Sequence, residues 1–492
     1  MRARMRPGGG VATTPRTCIR WRESIGGSNR FDRLTTPPTE TDPVSFPTAS
    51  IPVIPDDRPR SSDAAHRDAP DRDAEAVRRA SDPFVARDRH GTPLSRGRVI
   101  AAIFALSLGG FGIGSTEFVA MGLLPDFARD LLPALYAASP EQANAQAGWL
   151  ITAYALGVVV GAPTIAAVAA RLPRRTLLIA LAVAFTLGTV ASALLPTFET
   201  VIIARFVAAL PHGAYFGVAA LVAADLMGPG KRGQGVALVL SGLTIATVIG
   251  VPILTAIGQS AGWRVAYLVV AALFAVTVVA LRMLVPWQPG TPHSTIRTEL
   301  AAFASLQVWI ALLVGAIGFG GFFAMYTYIA PLVTDEVGLP ASSVPLVLVT
   351  IGIAMTIGNL IGGRLADGGT VRAIFFGFFG LIGSVVLLGL TGSTPVGLYV
   401  GTALVGFMAA TLSPIIQMRL MDVAKESQTL AAALNHAALN IGNALGAFLG
   451  GVVVAAGWGY LAPAWVGLGL AVGGVLLAVL SVALERRARR PH

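Results

Sequence analysis

Beginning near Val99, apolar stretches of about 20 to 26 residues recur along the chain with short polar breaks between them, each long enough to cross a bilayer core. Twelve are counted, at 99–124, 146–169, 175–195, 200–225, 235–258, 263–286, 306–333, 343–366, 371–391, 395–419, 428–456 and 459–484. Lipid offers no hydrogen bonds to a backbone, so each stretch is expected to form a helix that satisfies its own peptide groups. A composition of 54% hydrophobic against 13% charged residues, with a mean hydropathy of +0.69, excludes a single soluble globule. The fold class expected is therefore an all-α membrane protein.

Residues 1–97 belong to another regime. The first 98 positions hold 18 of the 36 Lys and Arg and 13 of the 26 Asp and Glu, and they are rich in Pro and Ser, which predicts a disordered cytoplasmic tail. Arg2, Arg4 and Arg6 imitate the start of a signal peptide, but no run of 7 apolar residues follows, so insertion is expected to begin with the first span. The net +10 divides evenly between tail and body, unlike the compact basic face of a nucleic-acid binder. The sole cysteine, Cys18, excludes an intrachain disulfide.

Lys and Arg fall mainly on one side of the spans: Arg171, Arg174, Arg175, Lys231, Arg232, Arg282, Arg297, Arg364, Arg372, Arg419, Lys425 and the terminal Arg486, Arg487, Arg489 and Arg490. The opposite side has only Arg129 and Arg264 outside the spans, beside Asp126, Asp130, Glu141, Asp335 and Glu336. Basic loops resist translocation, so the basic side and both termini are expected in the cytoplasm, which requires an even number of spans. Six spans precede the polar segment 288–305 and six follow it. This predicts two pseudo-symmetric six-helix bundles, 98–287 and 306–485, with a basic tail at 486–492 and a central site between halves that rock in alternation.

Several segments carry a closer likeness. Phe111-Gly-Ile-Gly-Ser-Thr-Glu117-Phe118, with an acidic residue followed by Phe in span 1, is the most specific. After span 2, Arg171, Pro173, Arg174 and Arg175 form a basic turn with Ala170 ahead of it; Gly363, Arg364 and Asp367 end span 8; Arg205 to Gly217 run through span 4; and Gly242, Ala246, Gly250 and Pro252 mark span 5. Over nearly all of 99–485 the chain resembles the major facilitator superfamily, in particular its twelve-span drug:proton antiporters of the sugar-efflux-like and chloramphenicol-exporter-like branch.

That resemblance implies a secondary transporter of a bacterial inner membrane. It would export small amphipathic molecules in exchange for protons, as a monomer and without cofactor, metal or nucleic acid; proton-coupled export of sugars or nucleosides is the alternative. It links Arg205 with proton coupling, and the span 5 glycines and Pro252 with export. Ala170 replaces the family's Asp after span 2, so an Asp-based latch is expected only in the second half, at Asp367.

The residues also argue for themselves. An ionisable group inside hydrocarbon costs on the order of 2.5 to 3.5 kcal/mol, so Glu117 and Arg205 are suspects for function. Counting along each helix puts both roughly 8 to 10 Å from mid-span on the same side, close enough to interact directly or through water. Tyr326 and Tyr328 in span 7 offer aromatic faces with hydroxyl handles and, with His212 and Asn440, form the candidate cavity set. Asn435, His436, Asn440 and Asn443 put four polar side chains into span 11. The positions 436, 440 and 443 share a face, read first as interhelical hydrogen bonding and alternatively, through His436, as a second proton carrier. Asp225 and Asn359 are read as structural.

Other classes find little support. Only His212 and His436 of six His lie in spans, so no metal-ligand pair or nucleophile with a base is apparent, and no Gly-x-x-x-x-Gly-Lys-Ser/Thr phosphate loop occurs. An enzyme is not expected.

Overall fold

In a computed structural model the described residues are 94–169, 172–228, 231–289, 305–424 and 428–488, all within the unit Ser81–His492. The tail before residue 94, Arg171, the middle of the linker, Lys425 and the last four residues, including Arg489 and Arg490, lie outside them.

Among the described residues twelve helices are long and apolar enough to cross a membrane. Spans 1 to 6 are Arg96–Gly122, Pro140–Ala162, Arg174–Leu194, Phe198–Met227, Gln234–Ala261 and Trp263–Leu284. Spans 7 to 12 are Leu306–Thr327, Ala341–Ala366, Thr370–Thr391, Pro395–Val423, Asn435–Ala455 and Ala462–Arg487. The number expected from the sequence is met, and the ends are set by local chemistry. The Ser95 hydroxyl accepts from the Arg98 N–H at 3.3 Å to start span 1, and Thr197 with Thr200 forms a capping box for span 4. Gly262, at φ 94°, makes the left-handed turn between spans 5 and 6 that a side chain would resist.

Two edges differ from expectation. Span 2 begins at Pro140 rather than 146, because Ser139 caps a polar helical turn ahead of the apolar run. Span 7 ends at Thr327 rather than 333: the helix breaks at Tyr328, and a π turn over Leu332–Glu336 follows Pro331.

Packing within the first six spans is repeated in the last six. Span 1 packs on 5 and 6, 2 on 4, and 3 on 4 and 6; likewise 7 packs on 11 and 12, 8 on 10, and 9 on 10 and 12. The correspondence extends to single residues. A Cβ on Gly157 would lie 2.3 Å from the Phe206 carbonyl and one on Gly161 2.0 Å from that of Leu210. Moving 201 positions along the chain, a Cβ on Gly358 would lie 2.1 Å from the Phe407 carbonyl and one on Gly362 2.2 Å from that of Thr411. Small residues four apart let two helix backbones touch, and both halves use the device at the same place. The halves meet where span 2 packs on 11 and span 5 on 8, again a pair related by six spans. Large side chains such as Phe104, Leu187, Met283 and Leu390 remain exposed around the outside, as a lipid-facing surface requires.

Candidate functional site

Glu117, five residues before the end of span 1 at Gly122, is 5% exposed and meets the other half of the protein. Asn443 of span 11 donates through Nδ2 to its Oε1 at 3.5 Å. Phe118 beside it meets Tyr326 edge-on at 6.1 Å, and Tyr326 stacks on Phe322 at 4.9 Å, so aromatic rings of span 7 lie alongside the carboxyl. Of the tyrosines expected to line a cavity, Tyr326 is thus near Glu117.

Tyr328 is not. Its hydroxyl donates to the Ala447 carbonyl at 2.9 Å and its ring fills the space left by three glycines, where a Cβ on Gly148, Gly450 or Gly451 would lie 2.5, 2.9 or 2.6 Å from it. The cavity role expected of Tyr328 is corrected to helix packing, because span 7 ends at Thr327 and carries Tyr328 past the central level.

Arg205 is almost fully buried, and it makes no direct ion pair with Glu117, so of the two expected forms of interaction the direct one is not found. Its guanidinium is held by neutral groups instead. Nε donates to the Leu150 carbonyl at 2.8 Å, and Nη1 donates to the Thr116 carbonyl at 3.5 Å and to the Tyr267 hydroxyl. The rings of Tyr154 and Tyr267 flank it at 4.9 and 5.5 Å, and Nη2 has no partner among the described residues. Desolvated cation–π contacts with carbonyl acceptors stabilise a buried guanidinium that lacks a counter-ion in direct contact. Tyr154 and Tyr267 were missed by sequence reasoning, since nothing in spans 2 and 6 singles them out.

Tyr154 continues the arrangement to His212, whose Nδ1 lies 3.3 Å from the tyrosine hydroxyl. His212 also packs on Phe216 at 5.4 Å, and Phe216 stacks on His436 of span 11 at 5.5 Å and 4°. Span 11 therefore presents His436 to span 4 and Asn443 to span 1, with Asn440 on the same face between them. Asn440 donates through Nδ2 to the His436 carbonyl at 3.0 Å. The interhelical role read for these amides is found at Asn443.

The span 5 stripe packs on span 1: a Cβ on Gly242 would lie 2.1 Å from the Ser107 carbonyl and one on Gly250 2.8 Å from Phe111 and Ser115. Pro252, which lacks an N–H, follows a π turn over Ala246–Gly250.

At the acidic end the halves are tied together. Asn144 donates to the Tyr460 hydroxyl at 2.8 Å, the Tyr460 N–H donates to Glu336 at 2.9 Å, Gln259 donates to the Ala341 carbonyl at 3.1 Å, and Trp149 meets Phe448 edge-on at 5.5 Å. Burial pushes the carboxyls of Asp126 and Asp335 above their ordinary range, partly offset by Arg129 in each case and by the Thr334 hydroxyl for Asp335. It also raises the Tyr460 phenol.

At the basic end charges pair within each half. Asp225 accepts from Arg174, and from Arg232 at 3.1 Å, while Arg174 also reaches Gln288 at 3.5 Å and Arg175 bonds the Arg282 carbonyl. The first half thus has a carboxylate paired with its basic turn although Ala170 stands where the family has Asp, because Asp225 at the end of span 4 supplies the acid. In the second half Arg419 pairs with Glu485 at 2.9 Å and with Ser481 at 3.1 Å. Arg364 is exposed beside Gly363, which has open space around it, and the Asp367 side chain lies outside the described residues.

The comparisons with known proteins agree with this architecture. The family model described as Major Facilitator Superfamily matches residues 106–417 and 312–492. The chain belongs to the major facilitator superfamily. Within that superfamily it is 38% identical over 387 residues to "Inner membrane transport protein YdhP" of Escherichia coli O157:H7, covering 78% of this chain and 96% of the relative. It is 31% identical over 386 residues to a "Chloramphenicol resistance protein" of Streptomyces lividans, covering 77% and 93%. The crystal structure of a D-xylose–proton symporter shares the fold with a TM-score of 0.63 at 17% identity, covering 78% of this chain and 97% of that one. This superfamily member is a multi-pass membrane transporter of small molecules, not an enzyme.

Proposed function

We propose that the protein exports small amphipathic, drug-like molecules in exchange for protons by alternating access. The observation that carries this reading is Glu117: a carboxyl enclosed between the halves, hydrogen-bonded to the opposite half through Asn443, with aromatic rings of span 7 beside it. A buried acid trades a proton only when its surroundings change, and a site shared by two moving halves changes at every cycle. Arg205, held by neutral partners, keeps its charge free to bias Glu117 as the halves move. Phe118, Phe322 and Tyr326 favour an amphipathic solute over a sugar.

In this reading the bundles 98–287 and 306–485 rock against each other, the basic end and both termini face the cytoplasm, and the protein works as a monomer in the bacterial inner membrane. The relative whose name records chloramphenicol resistance supports the choice of cargo class. The test is reconstitution in liposomes with a trapped pH dye, challenged with amphenicols, lipophilic cations, sugars and nucleosides. Proton movement driven by one class in the native protein and lost in Glu117→Gln is expected. Cargo flux without proton flux, or a native-like Glu117→Gln, overturns the role of Glu117.

A further inference from the structure

Two amides of span 11 are oriented by the groups they face. Asn443 faces the Glu117 carboxylate and Asn440 faces the His436 carbonyl. The His436 carbonyl can only accept, and the Glu117 carboxylate accepts while it is ionised, so in this state each amide turns its NH2 toward its partner and its Oδ1 points elsewhere. Neither Oδ1 has a partner among the described residues, although Asn440 is 3% and Asn443 1% exposed. Asn144 and Asn435 also carry unmatched amide oxygens, but Asn440 and Asn443 put two of these costly groups on one face, which calls for a reason.

Position supplies it. Asn440 lies on the span 11 face between His436, stacked on Phe216 of span 4, and Asn443, bonded to Glu117 of span 1. Both oxygens therefore belong to the seam where the two halves meet. Rings border that seam: Phe216 and His436 below, Phe118, Tyr326 and Phe322 above. We propose that Asn440 and Asn443 read two hydroxyl donors of a neutral aromatic substrate, one through each Oδ1. This rests on the export reading above and narrows its cargo to molecules that bring donors.

The same geometry links substrate to proton. Ionised Glu117 accepts from Asn443 and leaves the amide oxygen for the substrate. Protonated Glu117 becomes a donor; the Asn443 amide then turns its oxygen to the carboxyl and withdraws it from the substrate. Proton and substrate thereby compete for one oxygen atom, and the proton leaves Glu117 for water when substrate binds. The other groups acting on Glu117 are Arg205 from span 4, with Tyr267 of span 6 behind it, Tyr154 from span 2 and Tyr326 from span 7. None of these offers an amide oxygen.

The test uses thiamphenicol and florfenicol, neutral aromatic molecules that differ by one hydroxyl exchanged for fluorine. Export of both is measured in proteoliposomes containing the full chain. The native protein is expected to favour thiamphenicol at least about tenfold, since a site built for a donor rejects the analogue lacking it. In Asn440→Leu or Asn443→Leu the thiamphenicol-to-florfenicol ratio should fall toward one, read at whatever total rate each variant retains, and Asn440→Gln should restore part of the preference. A native ratio near one overturns the proposal without need of any variant, as does an unchanged ratio in both Leu variants. Equal export of the two drugs leaves the export reading intact and removes only this inference; export of neither removes both.

Discussion

Asn144 and Tyr460 lie 316 positions apart and are joined by a 2.8 Å hydrogen bond that ties span 2 of the first half to the loop ahead of span 12. Both are buried, and Tyr460 is held in turn by its N–H to Glu336. Tyr460→Phe would strip Asn144 of that partner, at about 1 to 3 kcal/mol, which corresponds to roughly a 5- to 150-fold shift toward separation of the halves at the acidic end. Spin labels at Gln142 and Ser342, in a Cys18→Ser background, should report a longer distance population in the variant.

Protonation should act on the same end. The Asp335 carboxyl is raised above its ordinary 3.8 in the closed arrangement, chiefly by burial. A raised acid favours the state that binds the proton, so its contribution to closure is full below the ordinary value and is lost as pH climbs through the raised one. The labelled pair should therefore move toward the closed distance as the pH falls across and just above the ordinary carboxylate range. Asp335→Asn should flatten part of that response, with Asp126 supplying the remainder.

Arg205→Lys tests whether the guanidinium acts by geometry as well as charge. A lysine ammonium cannot bridge the Leu150 and Thr116 carbonyls and the Tyr267 hydroxyl while stacking between two tyrosine rings. Transport is expected to fall about tenfold or more despite conserved charge, whereas Tyr267→Phe, which removes one acceptor and keeps the ring, should cost less. Initial export rates normalised to folded protein decide it.

Two glycines of the sequence motifs should behave oppositely. Gly242→Ala forces a methyl to within 2.1 Å of the Ser107 backbone and is expected to lower the Tm of the purified protein or abolish folding. Gly363→Ala meets nothing within 4 Å and should be neutral or raise Tm, since Ala gains about 1 kcal/mol over Gly in a helix.

Hydropathy alone revealed the span count, because lipid leaves the chain few alternatives. Glu117 and Arg205 were legible as rare charges in apolar runs. Their partners were not: a buried charge is conspicuous, whereas Tyr154 and Tyr267 look like any aromatic in a span until a guanidinium is seen between them. Asp225 was read as merely structural since linear motifs do not say which carboxylate a fold brings to Arg174. One signal was overlooked. Gly157 and Gly161 recur as Gly358 and Gly362, a repeat readable by eye that marks the matching contact of each half.

The π turn at Ala246–Gly250 alters the phase of span 5. A π turn accommodates one residue more than an α turn, so the segment beyond Pro252 is rotated by about 100° from where uninterrupted winding would put it. Gly242 and Gly250 look toward span 1, while the Thr247 carbonyl lies 2.7 Å from where Gly352 of span 8 would carry a Cβ. One helix thus keeps two azimuths, one for its own half and one for the opposite half. Passing the surplus residue along the helix would turn the traversed segment as a whole, changing what it shows to span 1 and to span 8 together.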